Sequence, residues 1–126
     1  MPVRYERNDA QRRVVVTVQG AFQTSDMLAV IERHRSEDAW GYGILYDLRH
    51  LAGDATVPEL REILKQAASR PTEGRRGPVA LLVTDPILYR LACTYAALGR
   101  TTVTVQVFRD SDEADLWLAG ETSAGT

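Results

Sequence analysis

A single cysteine, Cys93, stands among 126 residues, so no internal disulfide framework exists and stability must come from a packed core. No apolar run approaches the roughly 18 residues that a membrane-crossing helix needs. The opening Met1-Pro-Val-Arg-Tyr-Glu lacks an apolar signal segment, and a cytoplasmic location is expected. With two histidines, one cysteine and no cluster at ligand spacing, no metal site is expected. Nor does any motif call for a cofactor. Neither sign of charge dominates: the formal net charge is −2 and the pI about 5.7. A nucleic-acid partner is therefore not expected, since Arg12-Arg13 and Arg75-Arg76 are only short basic pairs beside turns. Lysine occurs once against fourteen arginines, a bias of the kind a GC-rich genome produces. No G-x-S-x-G elbow is present, and Gly41 and Gly43 precede a strand rather than opening a helix, which excludes a phosphate loop there.

What is present is a grammar of strands and helices. Hydrophobic residues make up 44% and charged residues 25%, the composition of one globular domain, which we place at residues 1–119 with a flexible tail at 120–126. Val3 to Arg7 and Arg13 to Val18 flank an Asn8-Asp-Ala-Gln11 turn and read as a hairpin. Thr24 or Ser25 then caps a helix whose stripe is Met27, Val30, Ile31 and His34. Ile44 to Leu48 is a buried strand, and Thr56 with Glu59 has capping-box spacing before the stripe Val57, Leu60, Ile63, Leu64 and Ala67. Val79 to Val83 is the most continuously apolar run, hence a central strand. Asp85-Pro86 opens a helix to about Leu98, and Asp110 with Glu113 opens another after the alternating strand Val103 to Val107. The expected fold is α/β: a mixed, mostly parallel five-stranded sheet with about four helices, ordered β-β-α-β-α-β-α-β-α.

In open parallel sheets, ligands gather beyond the carboxyl ends of the strands. That edge should collect Gln23, Thr24, Asp47, Arg49, His50, Thr84, Asp85, Arg109 and Asp110. Once the capping roles of Thr24, Asp85 and Asp110 are subtracted, Gln23, Asp47, Arg49, His50 and Arg109 remain as candidates for a small anionic or lipid head group. Asp47 and His50 alone do not make a catalytic set, and no enzyme activity is expected. The helix from Pro86 to Leu98 is apolar over a wider arc than one sheet face requires, so Leu88, Leu91, Tyr95 and Leu98 are candidates for an interface. Cys93, inside that apolar helix, is expected to behave as a small buried hydrophobe.

The segment Leu45-Tyr-Asp-Leu-Arg49, the strand entry Gly77-Pro-Val-Ala80 and the ending Val107-Phe-Arg-Asp-Ser-Asp-Glu-Ala-Asp-Leu-Trp-Leu118 together resemble the STAS/SpoIIAA-like family. The resemblance implies a small α/β domain that is not an enzyme and works through a protein partner or self-association, including homodimers. A lipid-binding or small-molecule-binding module is the alternative. In the family's phosphoregulated branch, an Asp-Ser-Ser-Gly sequence follows the third strand. Here the matching region reads Gly53-Asp-Ala-Thr-Val-Pro58, so Thr56 alone retains a hydroxyl for regulation.

Overall fold

A computed structural model describes residues 3–21, 23–52, 57–67, 76–99 and 104–124. The chain runs β1 (Val3–Asn8), β2 (Arg13–Ala21), α1 (Thr24–Ser36), β3 (Gly43–Ala52), α2 (Val57–Ala67), β4 (Val79–Leu82), α3 (Pro86–Gly99), β5 (Val105–Phe108) and α4 (Ser111–Ala124). The five strands lie side by side in the order β1-β2-β3-β4-β5. Only the β1/β2 hairpin is antiparallel; the other three pairings are parallel.

Strand alternation divides the core into two layers. On one face Val14, Val16 and Val18 of β2, Ile44 and Tyr46 of β3, and Val79 and Leu81 of β4 meet Val30 of α1 and Ala92 of α3. On the other, Leu45, Ala80, Leu82 and Phe108 meet Ala114 and Leu118 of α4. A smaller cluster of Ile31, Trp40 and Ile63 sits within the helix layer, between α1 and α2. β4 is buried on both faces, as its unbroken apolar run requires, whereas β5 is an edge strand with Gln106 exposed.

Several boundaries differ from the sequence expectation for physical reasons. β3 does not stop at Leu48 but continues to Ala52, because β2 also runs on to Ala21 and offers it a partner. The pairing slips on the way: Thr17 faces Asp47, yet Gln19 faces His50. Two steps on β2 thus match three on β3, and the extra residue is a bulge at Leu48–Arg49. It lets Leu48 and Leu51, three apart, both pack against the same core cluster. α4 stays helical to Ala124. Gly120 does not stop it, being absent from the positive-φ positions that terminate helices.

Gly77 shows how the strand N-terminal end closes. Its amide donates to the Trp40 carbonyl at 3.0 Å. A Cβ there would collide with the Tyr42 carbonyl oxygen and sit 2.5 Å from that of Gly41. Only glycine allows this approach, which brings Arg76 against Trp40.

Candidate functional site

At the strand C-terminal edge, Asp47 and Arg49 form one unit. Arg49 Nε donates to Asp47 Oδ1 at 2.9 Å and Nη2 to Oδ2 at 2.8 Å, while the Arg49 amide donates to Oδ1 at 3.2 Å. The carboxylate therefore holds the bulge by taking up a backbone donor that the ladder leaves out. The Arg49 hydrogen bond is the main reason that the Asp47 carboxyl titrates below its ordinary value. Asp47 in turn raises the pKa of the guanidinium.

His50 is exposed and sits opposite Gln19 on β2. No hydrogen bond joins it to Asp47 among the described residues, and both Asp47 oxygens are engaged by Arg49. Arg109 lies elsewhere, past the end of β5 with β4 between it and β3, and stacks over the Tyr89 ring at 4.0 Å. The two arginines thus do not converge on one anion: one is held by a carboxylate, the other by an aromatic face.

Gln23 occupies the N-cap of α1, and its amide donates to Asp26 Oδ2 at 2.9 Å. This replaces the expected cap at Thr24 or Ser25. Thr24 is drawn away because its hydroxyl donates to Glu59 Oε2 of α2 at 2.7 Å, tying the two helix starts together. The other two caps are the expected residues, although among the described residues Glu113 does not return a bond to the Asp110 amide. Asp85 Oδ1 accepts from the amides of Ile87 and Leu88 at 2.9 and 3.1 Å, and Asp110 Oδ1 from those of Asp112 and Glu113 at 2.8 and 3.2 Å. Thr56 lies outside the described residues. Among those described, no group of three or more histidine, cysteine or acidic side chains is placed to hold a metal ion. No helix among them is long and apolar enough to cross a membrane.

On α3, the expected interface residues separate. Leu88 and Tyr95 are half-buried against the core, and Leu91 is half-buried. Leu98 is 37% exposed, and Ile87, which the wide stripe included but the interface set did not, is 69% exposed. Cys93 corrects the sequence reading: it is exposed, because α3 turns Ala92 rather than its neighbour toward the sheet.

Sequence reasoning missed a second cluster, at the opposite end of the sheet. His34 of α1 is fully buried, with its ring 5.3 Å from Trp40 and its Nε2 2.6 Å from the Ala39 carbonyl oxygen. Burial first, and then the Arg76 charge, push its pKa down to about 4. Arg76 itself is only 5% exposed and lies 4.8 Å above the Trp40 ring. Its sequence signal was a basic pair beside Gly77-Pro78, which reads as a solvated turn. Contact with Trp40, far away in the sequence, helps to bury it.

No protein-family model matches the sequence, and no curated protein matches it. Solved structures are similar over nearly the whole chain. An anti-sigma factor antagonist from Mycobacterium paratuberculosis superposes with a TM-score of 0.58 at 16% identity, covering 92% of both chains. An uncharacterised protein with a SpoIIAA-like fold from Shewanella loihica gives 0.60 at 18% identity, covering 92% of this chain and 91% of that one. The single mixed sheet, covered by helices on both faces, thus has a SpoIIAA-like fold.

Proposed function

We propose that the chain is a non-enzymatic regulatory domain that acts through protein contacts, with the exposed apolar residues of α3, Ile87 and Leu98, as its docking surface. The observation that carries this reading is Ile87, a large aliphatic side chain 69% exposed in the first turn of α3 and continued at the far end of the helix by Leu98. Isolated apolar side chains are ordinary on surfaces, but a helix that is apolar over so wide an arc marks contact with another protein. The end-to-end fold likeness to an anti-sigma factor antagonist supports the same class of function. A head-group site at the strand ends has less support, since Asp47 engages Arg49 and Tyr89 underlies Arg109.

Self-association is the form of contact that can be tested with the chain alone. Sedimentation velocity across a hundredfold concentration range should show a dimer that Ile87→Asp converts to monomer at unchanged thermal stability. A wild-type chain that stays monomeric throughout would remove the homodimer, and a dimer indifferent to Ile87→Asp and Leu98→Asp would remove α3 as its surface.

A further inference from the structure

Among the described residues, the interior of the helix layer carries a positive charge without a counter-charge. Two guanidinium groups lie against the buried Trp40 ring, Arg35 at 4.5 Å and Arg76 at 4.8 Å. Arg35 has its counter-ion, Glu32 Oε1 at 2.9 Å, and also reaches the Gln66 carbonyl at 3.0 Å. Arg76 is different. Its Nε and Nη1 are buried without a hydrogen-bond partner, and no carboxylate among the described residues forms an ion pair with it. Among the described residues, Tyr46 on β3 and Tyr95 on α3 interact with it through their hydroxyls, and its charge also reaches His34. His34 Nδ1, beside the same indole, is likewise buried and unpartnered.

Burying an ion without a partner costs several kcal/mol, so an orphaned guanidinium in a folded core calls for a compensating charge. The local sum sets its size. Burial raises the pKa of both tyrosines, Tyr95 to about 12, so they remain neutral hydroxyl donors. His34, pushed down to about 4, is neutral as well. Its Nε2 faces a carbonyl oxygen and so carries the proton. Among the described residues, one positive charge remains. Trp40, over whose ring Arg76 lies, is buried in one apolar cluster with Ile31 and Ile63, so water has little access on the indole side.

We propose that Arg76 anchors a buried binding site for one small monovalent anion, a halide or the carboxylate group of a short acid, in the helix layer beside Trp40. The guanidinium supplies charge and donors, the tyrosine hydroxyls supply further donors, and the indole closes one side. The site lies at the strand N-terminal end, away from the edge where parallel sheets ordinarily take ligands. Gly77 is part of its construction, since the close backbone approach there holds Arg76 over Trp40.

The test is thermal unfolding at constant ionic strength while sulfate is exchanged for sodium chloride or for sodium acetate. The expected result is a saturable rise in Tm of roughly 10 °C at a hundredfold excess over Kd, absent in Arg76→Met. That substitution replaces a buried cation with an apolar chain of similar length, a change often tolerated. A rise with acetate alone assigns the site to a carboxylate group, and a rise with both salts assigns it to small monovalent anions in general. No saturable rise, or an equal rise in Arg76→Met, overturns the proposal. Should Arg76→Met fail to fold, Trp40 emission in a Trp117→Phe chain decides: a saturable change in the same titration supports the site, and its absence overturns it.

Discussion

His34 is the residue with the sharpest expected pH signature. Its folded pKa, about 4, lies below the ordinary 6.5, so the unfolded chain takes up the proton first. The neutral ring's contribution is complete above pH 6.5 and is lost as pH falls toward 4, a total of up to roughly 3 kcal/mol. Urea unfolding from pH 7 to 4 should show this decline, and His34→Gln should flatten it. The carboxyls of Asp9, Glu37 and Asp47, whose hydrogen bonds to Tyr42, Arg33 and Arg49 respectively lead in holding them below their ordinary values, lose their contributions only at lower pH. Gly77→Ala should be among the most damaging small substitutions, at about 3 kcal/mol, because the added methyl meets backbone carbonyls rather than side chains that can move aside. Its measure is the urea midpoint at constant m-value.

Among the elements, α3 and α4 depend on their caps. Asp85→Ala and Asp110→Ala each leave two amides without an acceptor and should cost about 1 kcal/mol. Asparagine at the same positions should restore most of it, which separates capping from helix-dipole electrostatics. Gly120→Ala should act in the opposite sense, stabilising by up to about 1 kcal/mol, since the position is helical, exposed and open where a methyl would stand. These elements also show what the sequence could and could not disclose. Asp85 and Asp110 were legible because a cap and its amides lie two or three residues apart. Thr24 was misjudged because Glu59, thirty-five positions away, competes for its hydroxyl. Cys93 was misplaced for a related reason: on a helix with so wide an apolar arc, spacing does not say which part of it meets the sheet. The bulge at Leu48–Arg49 was hidden because it depends on how far β2 continues beside β3. Within the candidate edge, Asp47 and Arg49 come together, as their spacing on one strand allows. Arg109 stands apart because strand order, which local pattern does not encode, puts β4 in between.

At the scale of the whole molecule, burial is uneven across the sheet. β3 and β4 lie between the two core layers, whereas β1 is an edge strand with most of its side chains exposed. Native-state hydrogen exchange should therefore be slowest at Leu45, Tyr46, Ala80 and Leu81 and fastest along β1. Equal protection of β1 and β4 would mean that the sheet opens only as a unit. The layers also differ in what locks them. α4 is pinned to the sheet by Arg13, whose guanidinium reaches the Asp115 carboxylate at 3.0 Å and its backbone carbonyl at 3.2 Å. Arg13→Ala should loosen that layer and bring forward exchange at Ala114 and Leu118 before the opposite face responds.

The strand order carries a consequence for how the chain is made. Every strand lies beside the one that precedes it in sequence, so none has to be inserted between two that have already paired. A chain emerging from the ribosome can lay down the hairpin, then β3 on β2, β4 on β3 and β5 on β4, always against an edge that is already in place. Translation thus runs in the same direction as sheet growth, and a pause in synthesis leaves a shorter sheet rather than a wrong one.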